Sequence, residues 1–210
     1  MTIDINDLIN SITESLNRID YIKAEDIPNI ELYMDQVTSF LDKRLRSTTR
    51  NKDDKILTKT MINNYAKNDL LPPPVKKKYN KDHMIILLII YYFKNFLSIN
   101  DIETILRPLN DKYFGKEEGT TLVDIYEILR KKEVEQKSVV IEDIRNKYET
   151  AMSMYDTGDK EEDEILQVVS FITLMSADVY IKKLLIEKMV DGYRDILMGD
   201  DVGHTDKKTK

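Results

Sequence analysis

The sequence predicts an all-α protein, on three observations. Apolar residues recur at three- and four-residue intervals in one segment after another, the spacing that lines one side of a helix. All six glycines lie at or beyond Gly115, so the first 114 residues turn corners without them, as helices joined by polar connectors do. Hydrophobic residues make up 41% of the 210, enough for a packed core and against wholesale disorder.

Taken in order, Ile5, Leu8, Ile9, Ile12, Leu16 and Ile19 predict an amphipathic helix from about Asp4 to Arg18. Pro28 then starts a second helix through Ile30, Met34, Val37, Phe40, Leu41 and Leu45. Residues 46–55, RSTTRNKDDK, have no apolar period and read as a mobile basic loop. Thr58 is a fitting N-cap for a short helix to about Lys67. Met61, Ile62 and Tyr65 share its inner side, while Lys59, Thr60, Asn63, Asn64 and Lys67 share the outer one. Leu70 and Leu71 anchor the chain before Pro72, Pro73 and Pro74, which force an extended path carrying Lys76, Lys77, Lys78 and Tyr79.

Asn80 caps the next helix, over Met84 to Leu97, whose lack of a polar face makes it the central core helix. Ser98 and Asp101 have capping-box spacing and open a short helix ending near Pro108. Residues 110–119 form a polar connector and a domain boundary. Beyond it the pattern predicts helices from Thr121 to Lys137 and from Val139 to Tyr155. An apolar stretch from Ile165 to Leu197 follows, as one helix or two broken near Ser176, then a polar, disordered tail over 199–210. Four parts result: an N-terminal helix over 1–25, a domain over 26–110, a helical bundle over 119–197, and the tail.

Composition narrows the chemistry. With no cysteine and only His83 and His204, thiol chemistry, cysteine metal sites and histidine cages are excluded, and no glycine-rich phosphate loop exists. His83 reads as a capping or surface residue. The acidic run Asp156, Asp159, Glu161, Glu162, Asp163 and Glu164 lacks the ligand spacing of a calcium loop and reads as the start of a helix. We therefore expect no enzyme, no cofactor and no metal. The N-terminus lacks the pattern of a secretory signal, and the longest apolar run, Met84 to Phe93, is about half the length of a membrane span. A soluble, cytoplasmic protein without membrane contact is the expectation.

The net charge of −6 conceals a segregation. Lys43 to Lys81 holds twelve Lys and Arg against three Asp, leaving +9 there and −15 on the rest. One concentrated basic segment in an acidic protein is the footprint of a local polyanion partner.

Residues 57–106 add an ordered motif: Leu57-Thr58 before a helix, Leu70-Leu71-Pro72-Pro73 at its end, a lysine strip closed by Tyr79, an apolar helix, then Ser98-Ile99-Asn100-Asp101-Ile102. This order resembles the winged-helix DNA-binding domain of MerR-type transcriptional regulators. More closely, Leu57 to Tyr65, Leu70 to Pro74 and Leu32 to Val37 are similar to a bacterial family known only as a domain of unknown function, over about residues 25–110. The resemblance implies a MerR-like winged helix-turn-helix domain followed by a C-terminal helical bundle, acting as a sequence-specific transcriptional regulator. Double-stranded DNA would be the partner, met by Lys59, Thr60, Asn63, Asn64, Lys67, Lys76, Lys77, Lys78, Tyr79 and Lys81. Pairing as a homodimer would double the contacts, and a small-molecule effector would act at the C-terminal helices. The alternative is a winged-helix module that docks an acidic protein, or this chain's own acidic half, and binds no DNA.

Overall fold

The structure, a computed structural model, describes residues 5–17 and 22–198, so the expectation for the tail over 199–210 lies outside the described residues. Among the described residues there are seven α-helices and one two-stranded antiparallel sheet. They run α1 (Ile5–Asn17), β1 (Leu32–Tyr33), α2 (Met34–Leu45), α3 (Lys59–Lys67), β2 (Lys78–Tyr79), α4 (Lys81–Phe93), α5 (Ile99–Tyr113), α6 (Leu122–Met152) and α7 (Lys160–Met198).

Helix α4 is the axis of the core. Asn80 Oδ1 accepts from the His83 N–H at 3.1 Å, and His83 Nδ1 accepts from the Asn80 N–H at 3.1 Å, so the cap is reciprocal. All nine residues from His83 to Tyr91 are buried. Each Ile or Leu taken wholly out of water there contributes about 1.5–3 kcal/mol, so α4 can be surrounded on every side. Val37, Leu41 and Leu45 of α2, Ile62 and Tyr65 of α3, and Ile102 and Leu106 of α5 close around it.

Several boundaries differ from the sequence expectation. The second helix begins at Met34, not near Pro28, and Ile30 is 67% exposed. Leu32 and Tyr33 are instead drawn into β1, where Leu32 pairs with Tyr79 and Tyr33 with Lys78. Gln36 then completes the new start by accepting the Tyr33 N–H at 2.8 Å. The basic loop is organised rather than mobile. Arg46 donates to the carbonyls of Lys52 and Asp54, each at 2.9 Å, and Lys94 Nζ donates to the Ile56 carbonyl at 2.6 Å. Lys76 and Lys77 do not lie on an extended strip; they form the tip of a tight hairpin turn.

Helix α5 carries Pro108 inside it and continues to Tyr113. A proline there costs about 3 kcal/mol through a lost hydrogen bond and a clash. The contacts of Leu109, Tyr113 and Phe114 with the core offset that cost. The two helices expected over 121–155 are one. With neither glycine nor proline between Leu122 and Met152, nothing in the backbone breaks α6.

Leu122 and Tyr126 at the start of α6 are buried in the same core, and the Tyr126 hydroxyl donates to the Ile22 carbonyl at 2.6 Å. The core thus continues across the 114–121 connector. Past it, α7 runs antiparallel along α6, with the Gln167 amide donating to the Met152 carbonyl at 3.0 Å and Tyr148 meeting Phe171 edge-on at 5.6 Å. Its far end docks on α5, where Arg194 bonds Asp101 at 3.0 Å and Thr104 at 3.2 Å. The acidic run caps α7 as the sequence suggests: Asp159 accepts the Glu161 N–H at 3.0 Å and Asp163 the Thr157 N–H at 2.9 Å.

Between Lys160 and Arg194, α7 is long and apolar enough to cross a membrane by length and composition. A count of unbroken apolar runs overlooks it, because Gln167, Ser170 and Asp178 interrupt the stretch.

Candidate nucleic-acid interface

Helix α3 is short, and its two ends are fixed differently. Thr58 Oγ1 accepts the Met61 N–H at 3.2 Å at the start. At the end the Leu70 and Leu71 N–H groups both return to the Tyr65 carbonyl, at 3.0 and 3.2 Å, with Asp69 held at φ 56°. Asp tolerates this left-handed conformation less well than glycine, and the full burial of Leu70 and Leu71 compensates. Ile62 and Tyr65 are buried, which leaves Lys59, Thr60, Asn63, Asn64 and Lys67 together on the exposed face.

The chain then climbs through three prolines into the hairpin. The Lys78 N–H donates to the Val75 carbonyl at 2.9 Å, with Lys76 at φ 51° and Lys77 at φ 65° between them. Two successive positive φ values define the type I′ turn, for which Asn-Gly is the low-strain choice. Lysine in the left-handed region costs about 1–2 kcal/mol per residue. Both ammonium groups are exposed and carry no ion pair among the described residues.

Hairpin and helix meet at β1. Lys78 Nζ bonds Glu31 at 3.2 Å and sits 5.8 Å from the centre of the exposed Tyr33 ring, while Lys59 pairs with Asp35. Glu31 and Asp35 stand four residues apart on either side of β1, so the first turn of α3 and the hairpin each anchor to one end of the same short segment. These two carboxylates moderate the positive field and leave Lys67, Lys76 and Lys77 as its uncompensated part.

Not every expected contact lies at the surface. Tyr79 is buried at 3% exposure, its ring 5.3 Å from His83, and burial raises its phenol above the ordinary range. Its period-2 register with Leu32 turns it into the core, so it supports the hairpin instead of presenting a hydroxyl. Lys81 is half-buried in the first turn of α4. Burial depresses His83, against smaller opposing effects of the Pro73 and Pro72 carbonyls and Asp82. The sequence reading missed Glu31, Tyr33 and Asp35. Its available signal was Tyr33 with Gln36 three residues on, a capping-box interval that places the chain before Met34 outside the helix.

The family profile of a domain of unknown function, DUF1836, matches residues 22–129. The chain belongs to this family. No curated protein and no solved structure matches the chain. The DUF1836 match begins at Ile22 and ends three residues beyond Tyr126, the two residues whose hydrogen bond closes the core. It therefore holds α2 to α5, the hairpin and the first two turns of α6, about twenty residues further than the sequence similarity suggested. The α6–α7 hairpin projects beyond it.

Proposed function

We propose that the protein is a DNA-binding transcriptional regulator with a MerR-like winged helix, reading duplex DNA through α3 and the Lys76–Lys77 turn and working as a homodimer in the cytoplasm. The observation that carries this reading is the turn. Asn-Gly would hold it at lower cost, so keeping two lysines there is explained by a use for their charge. On the outer face of α3 Asn63 and Asn64 offer amides that fit the adenine edge, and Lys67 and Thr60 fit phosphate or base. The part of the chain beyond the family match would carry dimerisation and a small-molecule effector site.

The test is a mobility shift against genomic fragments at two salt concentrations. Binding should fall steeply with salt, and replacing Lys76→Asn with Lys77→Gly should reduce the log–log salt slope by about 2, one per phosphate contact. The same double variant should raise folding stability by about 1–2 kcal/mol through relief of strain. Absence of binding at low salt would overturn the reading.

A second reading, a protein-docking module, is favoured by Ile30, Tyr33 and Val75, exposed at 67, 56 and 66% around the same hairpin. A partner recovered from nuclease-treated lysate, and lost in Tyr33→Ala, would support it.

A further inference from the structure

One row along α7 is apolar and uncovered. Ile165, Val169, Ile172, Ser176, Val179 and Lys183 follow one another at alternating intervals of four and three, the repeat of a coiled-coil seam, and all six are exposed. The opposite side of the helix is occupied by α6 and the turn that follows it, through Gln167, Ser170, Phe171 and Asp178. The row continues in the same rhythm to Ile186 and Val190, and there it is covered: Ile186 packs on the core and Val190 is 5% exposed. The bare part is thus an interrupted continuation of a buried seam. Ile165, Val169, Ile172 and Val179 stand 56–61% exposed along it.

Charge along the row chooses the occupant. Glu161 and Glu162 flank its beginning, Lys183 closes its end, and the thirteen residues from Ile165 to Ala177 carry no charge. A parallel second helix would set acid on acid and lysine on lysine. An antiparallel one, turned about a two-fold axis beside Leu174, sets Ile172 against Ser176 of the second copy, Val169 against its Val179, and Ile165 against its Lys183. Each Lys183, which pairs with Glu187 of its own helix at 3.4 Å, then also lies beside the other copy's Glu161 and Glu162. Such a seam is isologous and closes as a dimer. A bilayer fits the row less well, because α6 lies along α7 and carries charges such as Lys147 and Asp143 at the same level.

We propose that two copies of the chain pair through this face of α7, antiparallel and centred beside Leu174, joining their α6–α7 hairpins into a four-helix bundle. The proposal deepens the homodimer of the functional reading and supplies its geometry.

The test uses the full chain in sedimentation and light scattering. The expected mass is twice 24.7 kDa at micromolar concentration. Ile172→Glu, at a site 58% exposed, should raise the dimer dissociation constant at least tenfold with helical content unchanged. The absence of cysteine makes orientation readable. Ile165→Cys protein mixed with Lys183→Cys protein should cross-link as a heterodimer on oxidation. Glu162→Cys alone should not, because its two copies would stand about 36 Å apart. A monomer at all concentrations, a Glu162→Cys self-cross-link, or flotation of the chain with lipid vesicles would each overturn the pairing. A monomer that still shifts DNA would sink the pairing and leave DNA reading intact; a dimer that ignores DNA would do the reverse.

Discussion

Helices α4 and α7 each carry a long apolar stretch, and they meet opposite fates. In α4 every residue from His83 to Tyr91 is buried; in α7, more than twice as long, Val190 alone is buried among the residues whose side chains are described. The cause is the number of neighbours. Helix α4 is met by α2, α3, α5, α6 and the hairpin, while α7 is met by α6 along one side and by α5 at its end. A helix apolar all round is stable only when surrounded, so the same composition that completes the core in one place creates unmet surface in the other. The first region carries the buried core of the chain, and the second carries its exposed apolar surface.

The sharpest way to break this contrast is to delete the same kind of side chain from both helices. Leu87→Ala in α4 should cost about 2–5 kcal/mol, through lost burial and the cavity left behind. Ile172→Ala on α7 should stay within about 0.5 kcal/mol in the isolated chain. Denaturant midpoints at low protein concentration read both. Similar losses would mean that α7 is as enclosed as α4.

Next in size is the closure of the core. Tyr126→Phe removes the hydroxyl that serves the Ile22 carbonyl and should cost about 1–3 kcal/mol, because that carbonyl is left buried without its donor. Tyr126 is pushed well above the ordinary phenol range by burial, so no ionisation competes at neutral pH. A neutral outcome in thermal unfolding would separate α6 from the first region.

The smallest effect is set by pH. His83 is depressed by burial, so the unfolded chain binds a proton that the folded chain refuses. Its contribution is complete above the unfolded pKa of about 6.5 and declines as pH falls below it. His83→Gln should flatten the stability profile below about pH 6.5. An unchanged slope would place the acid sensitivity elsewhere.

Much of the first region was legible because its signals are local. Thr58, Asn80 and Ser98 have caps within three residues of the groups they satisfy, and the faces of α3 follow from 100° per residue. What misled was chemistry decided at a distance. Leu32 and Tyr33 are compatible with helix or strand, and Tyr79, nearly fifty residues on, decides it. Pro108 is a breaker by rule, overruled by the packing of the turn that follows it. Of the ten expected interface residues, eight stand at the surface of α3 and the hairpin. Tyr79 is withdrawn by strand register and Lys81 lies half-sunk at the head of α4.

By itself the sequence determined that the chain is helical, where most helices begin, that its positive charge is concentrated over 43–81, and which side of residues 59–67 faces water. All of these follow from neighbours within a turn or two of helix. Only the tertiary structure decided that residues 75–79 fold back as a hairpin on β1, that Lys78 pairs with Glu31 and Lys59 with Asp35, and that α7 leaves an apolar row uncovered. Those outcomes depend on which segments compete for the same buried space around α4, and no local pattern of residues records the result.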